Sequence, residues 1–201
     1  MASLPSLRGQ RVILELPPPR EAPAALDYVR RNRFLLEPLE PLRQPEYYTE
    51  DWWRIALAVA RREARAGLGV RFLLRPVENS ALVIGTLAFS AIQRGAFQAC
   101  NLGYSLDAGW QRQGLMGEAL ALALEYAYGD LGLHRVMAAV QPDNPRSLKL
   151  LRTLGFREEG YAPDYLKIAG EWRDHRLFAL HAEDWHSHPV ARMFRKKGAL
   201  R

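Results

Sequence analysis

The stretch from Leu102 to Glu118, LGYSLDAGWQRQGLMGE, has the spacing of an anion-binding element. An extended apolar segment runs into a turn at Asp107-Ala108-Gly109. Gln111-Arg112-Gln113-Gly114-Leu115-Met116-Gly117 then opens a helix. A strand that delivers a glycine-bearing loop to a helix N-terminus converges backbone N–H groups where the helix dipole is positive. Gly114 and Gly117 lack a Cβ, so backbone and ligand can approach closely. The run is neither a Gly-Lys-Ser/Thr phosphate loop nor a Gly-x-Gly-x-x-Gly dinucleotide fingerprint. A tight turn with close helix packing would use the same glycines.

A second pair stands downstream. Asn144-Pro145 reads as a helix start, with Asn144 as N-cap and Pro145 in the first position. Ser147, three residues on, shares a face with Asn144. An amide and a hydroxyl so placed can cap the helix or face a ligand.

Seven strands and four helices position these groups. The strands span 11–16, 70–75, 81–90, 96–106, 136–140, 157–168 and 172–181, with turns at Glu78-Asn79-Ser80, Arg94-Gly95 and Ala169-Gly170-Glu171. The helices span 22–33, 49–66, 112–131 and 144–155. On the second helix, Trp52, Ile55, Ala56 and Val59 make an apolar stripe behind a Thr49 N-cap. On the third, Leu115, Ala119, Leu122, Ala123 and Tyr126 do the same. Phe34 to Tyr48 carries Pro38, Pro41 and Pro45 and reads as an irregular loop. Short connections make most strand pairs antiparallel; the strand-helix-strand unit from Leu102 to Val140 implies one parallel pair. Residues 1–185 read as one domain, and 186–201 as a basic, loosely held tail.

The net charge of +6 favours anionic partners such as nucleotide phosphates or RNA and disfavours polycationic substrates. No apolar run approaches the roughly 18 residues of a membrane span, and the N-terminus lacks a secretory apolar core. A single cysteine, Cys100, excludes an internal disulfide, suits a reducing cytoplasm and reads as a small buried hydrophobe. The five histidines show no metal-ligand spacing.

The loop Gln111-Arg112-Gln113-Gly114-Leu115-Met116-Gly117 resembles the acetyl-CoA pyrophosphate loop of the GNAT N-acetyltransferases, Q/R-x-x-G-x-G/A, with Met116 where the general pattern has Gly or Ala. RGAFQACNLGYSL, WQRQGLM, HRVMA, NPRS, LGFREEGYA and EWRDH resemble one branch, the RimJ/RimL enzymes, and within it the RimJ ribosomal-protein alanine N-acetyltransferases. The resemblance runs from about Arg31 to about Trp185 and is strongest from Arg94 to His175.

The resemblance implies a mixed, mostly antiparallel α/β sheet whose parallel strands splay apart to admit the pantetheine arm of acetyl-CoA. Tyr104, Ser105 and Leu106 then face the cofactor through their backbone, residues 111–117 hold its pyrophosphate, and Asn144 and Ser147 lie along its arm. The resembling helix carries no tyrosine, so Ser147 leads as proton donor to the departing thiolate, with Tyr161 or a water as fallback. Asn101 stands where many relatives carry Glu. An α-amine is roughly 10–15% neutral at pH 7 and a lysine about 0.04%, so a missing strong base suits an N-terminal acceptor. Glu37, Glu40, Glu158, Asp164 and Asp174 are other candidate bases. Glu37, Tyr161 and Trp172 are candidate acceptor walls. The implied activity is acetylation of the N-terminal alanine of a small-subunit ribosomal protein in the cytoplasm, by a monomer or homodimer. Detoxification of a small amine, or ribosome assembly involving the subunit's RNA, are the alternatives.

Overall fold

In the computed structural model, which describes residues 5–196, the chain opens with two antiparallel strands, β1 (Ser6–Arg8) and β2 (Val12–Glu15). The prolines from Pro17 to Pro19 end β2, since they offer no amide to a ladder. Helix α1 (Ala22–Arg31) is followed by the single turn α2 (Arg33–Leu36). The run from Phe34 to Tyr48 is not irregular: α2 and 3-10 turns at Glu37–Leu39 and Pro45–Tyr48 occupy most of it. Helix α3 (Glu50–Ala66) is capped by Thr49, whose hydroxyl accepts from the Trp52 amide at 3.3 Å, and stops at Gly67 with φ +70°.

The stripe expected on α3 is out of phase. Trp52 and Ile55 are 36% and 66% exposed, while Trp53, Leu57 and Ala60 are buried. Both sets satisfy helical spacing, so periodicity leaves the phase open. Packing closes it: Trp53 and Leu57 join Tyr28, Tyr47 and Leu73 in one apolar cluster.

The sheet continues with β3 (Val70–Pro76), β4 (Gly85–Gln93) and β5 (Ala99–Leu106). Then come α4 (Leu115–Tyr128), β6 (Arg135–Val140), α5 (Pro145–Thr153), β7 (Arg157–Ile168) and β8 (Glu171–His181). The strands lie in the order β1-β2-β3-β4-β5-β6-β8-β7, and every adjacent pair is antiparallel except β5–β6. β3 is apolar on both faces. Val70, Phe72 and Leu74 point into the main core with α4, whereas Leu73 points into the second with α1 and α3. The sheet is therefore the middle of three layers.

The central helix is shorter than the expected 112–131. Arg112 (φ +62°) and Gly114 (φ +77°) are left-handed, a conformation no α-helix continues through, so residues 111–114 form a loop and α4 starts at Leu115. Nor does α4 bury one stripe: twelve of its fourteen residues are buried, while Tyr126 from the expected stripe is half-buried. A helix apolar nearly all round needs cover on both sides. The sheet supplies one side, and the chain's end supplies part of the other.

That end is α6 (Ala182–Ser187) and α7 (Pro189–Lys196), where a loosely held tail is expected from residue 186. Trp185 and Ala191 are fully buried in the main core, and Trp185 Nε1 donates to Glu125 Oε1 of α4 at 2.9 Å. Residues 197–201 lie outside the described residues. With β1, α2, α6 and α7 added, the described residues form eight strands and seven helices. No helix among them is long and apolar enough to cross a membrane.

Candidate active site

The parallel strands β5 and β6 pair over three residues only, Ala99 with Arg135, Cys100 with Val136 and Asn101 with Met137. Each then follows its outer neighbour. β5 stays on β4 as far as Leu106, opposite Gly85, and β6 stays on β8 as far as Val140, opposite Arg176. The splay implied by the resemblance is thus present, and Asn101 stands at the fork. Residues 102–106 keep a free edge inside the sheet. Backbone N–H and C=O groups on such an edge call for an extended partner with amides of its own.

The loop at the end of β5 is braced by its own side chains. Asp107 accepts from the Gly109 amide at 2.9 Å, Gln111 Nε2 donates to the Leu106 carbonyl at 3.2 Å, and Gln113 Nε2 to the Gly109 carbonyl at 3.1 Å. Arg146 of α5 donates to Gln111 Oε1. The first turn of α4 has no side-chain cap, unlike α3 and α5, which Thr49 and Asn144 cap. Its leading N–H groups are therefore left for an anion. Arg11, Arg112 and Arg146 place cations around the loop, and Arg11 Nη1 donates to the Gln113 carbonyl at 2.8 Å. This cradle fits a pyrophosphate, and the free β5 edge fits an amide-bearing arm.

Leu115 and Met116 are buried, 4% and 7% exposed, so only their backbone is offered to a ligand. Met116 replaces a small residue without blocking the loop because its side chain enters the core. Gly117 faces α5, where a Cβ would lie 3.7 Å from Leu150 Cδ1.

Asn144 Oδ1 accepts from the Ser147 amide at 3.1 Å, which is the expected cap. Ser147 Oγ and the Tyr104 hydroxyl are 2.5 Å apart, so a hydrogen bond ties α5 to the free half of β5. Burial pushes the Tyr104 phenol up to about 12, against the pull of its bond to Ser147. Ser105 turns the other way along the strand, accepting from the Tyr28 hydroxyl at 2.8 Å and lying 3.0 Å from Thr86 Oγ1.

The Tyr161 hydroxyl has a partner other than Ser147. Tyr161 is exposed on β7, and its hydroxyl donates to Asp174 on β8 at 2.5 Å. Trp172 is 60% exposed near the start of β8, opposite Lys167. Glu37 is exposed and accepts from Arg33 Nε at 2.6 Å. The loop carrying Glu37 does meet the β7–β8 hairpin: the Ala169 amide donates to the Glu40 carbonyl at 2.9 Å, and a Cβ at Gly170 would fall 2.9 Å from Leu42 Cδ1.

The candidate bases are mostly committed. Glu40 pairs with Arg43, and Glu158 with Arg152 and Arg176, whose hydrogen bonds hold its carboxyl low. Asp174 is held low chiefly by Tyr161 and by the Asp164 amide. Cys100 is fully buried and its thiol is pushed up to about 12 by that burial, which removes it as a nucleophile. Among the described residues no three His, Cys, Asp or Glu side chains stand together as metal ligands.

Three features escape sequence reasoning. Arg11 braces the loop from across the sheet, and no local pattern signals that. The Tyr104 phenol meets Ser147, although the resemblance gives Tyr104 only a backbone role toward the cofactor. Asp107, read as a turn residue, is buried and accepts from Asn32 Nδ2 at 2.9 Å and from Arg31.

Residues 11–157 match the family model described as the acetyltransferase (GNAT) domain. The chain is 42% identical over 180 residues to the [ribosomal protein uS5]-alanine N-acetyltransferase of Escherichia coli, covering 89% of this chain and 92% of that one. Among solved structures, the ribosomal-protein-S5-alanine acetyltransferase of Vibrio fischeri superposes with a TM-score of 0.85 at 34% identity, covering 90% of this chain and 98% of that one. RimJ of Mycobacterium smegmatis, solved with CoA-disulfide, also superposes at 0.85, with 28% identity over 98% of this chain and 94% of that one. With the forked sheet and the uncapped loop-to-helix cradle, these likenesses show that the chain belongs to the GNAT acetyltransferase family, in its RimJ/RimL branch, and is an acetyl-CoA-dependent N-acetyltransferase.

Proposed function

We propose that the chain acetylates the N-terminal alanine of a small-subunit ribosomal protein, working in the cytoplasm. The observation that carries the acceptor is the 42% identity, over nearly the full length of both chains, to an enzyme named for that reaction. The site agrees with it chemically. Acetyl-CoA supplies an activated thioester. The loop amides and the α4 N-terminus bind its pyrophosphate, and residues 102–106 of β5 align its arm. The Ser147 hydroxyl donates toward the departing sulfur. The acceptor enters between the loop bearing Glu37 and the hairpin bearing Tyr161 and Trp172. Of the candidate bases, Glu37, Glu40 and Glu158 are held by arginines and Asp174 by Tyr161, which disfavours a strong base there. An α-amine tolerates that and a lysine does not.

The net charge of +6 supports an encounter with the RNA-rich subunit on which such a protein is assembled. The test is mass spectrometry of small-subunit proteins incubated with the enzyme and isotopically labelled acetyl-CoA. Label on one alanine N-terminus is the expected result. Label spread over lysines would refute the acceptor.

A further inference from the structure

Tyr104 and Ser147 bond at 2.5 Å across the mouth of the strand fork, and distance alone does not say which donates. Chemistry does. A phenol is a far stronger acid than an aliphatic alcohol, so its hydrogen is the better donor and the alcohol oxygen the better acceptor. Burial keeps the phenol neutral, with its hydrogen in place, at any working pH. The Ser147 backbone is already fixed by Asn144 through the amide bond at 3.1 Å. With Oγ held against the Tyr104 hydroxyl, the freedom left to the side chain is the direction of its own hydrogen.

We propose that Tyr104 is a positioning residue for the leaving-group step: its phenol donates to Ser147 Oγ and so turns the serine hydrogen away from β5 and toward the sulfur that departs in the fork. This rests on the acetyl-transfer reading and assigns to Tyr104 a role beyond lining the cofactor channel. Tyr104 is not the proton source. Full transfer to a thiolate near 8.5 would run uphill more than about a thousandfold from a phenol near 12 and further still from the serine alcohol. Ser147 therefore stabilises the departing thiolate by a hydrogen bond, and the proton that ends on sulfur is the one the acceptor amine loses on acylation, passed through solvent. Its effect is orientation and polarisation of the serine hydroxyl, since chained hydrogen bonds strengthen one another.

A double-mutant cycle tests this, read as CoA release with any acceptor the wild type uses. Tyr104→Phe keeps the ring and removes the hydroxyl. It should lower kcat about 3- to 10-fold, the worth of one neutral hydrogen bond, and leave KM for acetyl-CoA within about twofold. On a Ser147→Ala background the same change should alter kcat less than about twofold, because nothing remains to be aimed. Wild-type kcat in Tyr104→Phe would overturn the proposal. So would a loss that multiplies undiminished on the Ser147→Ala background, or one that appears only in KM. Turnover of a generic amine but of no alanine peptide would sink the acceptor reading and leave the cycle fully interpretable.

Discussion

Arg11 and Glu118 are 107 positions apart and are joined twice: the Arg11 amide donates to Glu118 Oε1 at 2.8 Å, and Arg11 Nε to Glu118 Oε2 at 3.0 Å. Glu118 lies in the first turn of α4, where the helix dipole favours a carboxylate. Left unpaired there, its charge would repel any phosphate brought to the same helix end. Arg11 neutralises it and also bonds the Gln113 carbonyl, so one side chain balances the charge and fixes the loop. Arg11→Ala should therefore weaken acetyl-CoA binding about tenfold, the scale of one or two charge-assisted hydrogen bonds, with a smaller effect on kcat. Steady-state kinetics with varied acetyl-CoA reads both. An unchanged KM would remove Arg11 from cofactor binding.

Gly114 marks where the loop turns into the helix. Its φ of +77° costs an L-residue about 1–2 kcal/mol, while a Cβ there would meet nothing closer than Arg11 Nη2 at 3.4 Å. A side chain is thus strained but has room. Gly114→Asn, which tolerates this conformation, should fold with near-normal stability and bind CoA modestly less well. Gly114→Glu should place a carboxylate among the loop amides and abolish binding. Calorimetric titration of CoA into both folded variants distinguishes them. Equal affinities would contradict a phosphate site at this loop.

Asp107 ties the exit of β5 to the end of α1. Burial pushes its carboxyl up, but hydrogen bonds from the Asn32 amide, the Gly109 N–H and Arg31 together outweigh burial and hold it below the usual range. A carboxyl depressed in the folded state adds stability above its unfolded value, near 3.9, and loses it as pH falls through the folded value. Asp107→Asn should cost about 2 kcal/mol at neutral pH, or roughly 4–8 °C in Tm for a chain of this size. The gap from wild type should narrow only below about pH 4. Thermal melts from pH 7 down to pH 3 follow it. A gap that stays constant to pH 3 would mean the charge on Asp107 contributes nothing.

The acceptor sets its own pH dependence. If the substrate is an α-amine, kcat/KM for an alanine-initiated peptide should rise with pH to a plateau, with an apparent pKa near 8 and not near 10. A peptide with a blocked N-terminus and a free lysine should be at least about a hundredfold poorer at pH 7, given the ratio of neutral amine. Direct competition between the two peptides, read by mass, decides it. Preferential labelling of the lysine peptide would refute N-terminal specificity and leave general acetyl transfer standing.

Local residue types determined much of this protein. Thr49 and Asn144 had to be caps, Gly67 a stop, and Asn144-Pro145 a helix start, because each satisfies or removes backbone donors within a few residues. The strand-helix-strand unit around Gly114 required one parallel pair, since no short connection can reverse it. Only the tertiary structure decided the rest. Trp52 and Trp53 are equally good helix-face residues, and the phase of α3 was chosen by the space beside Tyr47 and Leu73. The stretch from residue 186 reads as a basic, loosely held tail, yet its Ala191 is buried in the main core with Trp185, which bonds Glu125 of α4, a helix some sixty residues earlier. The pairings of Arg11 with Glu118 and of Tyr104 with Ser147 span 107 and 43 positions. Nothing in local spacing encodes such meetings. They exist because β2 and β5 are held in one sheet and α4 and α5 lie on the same face of it.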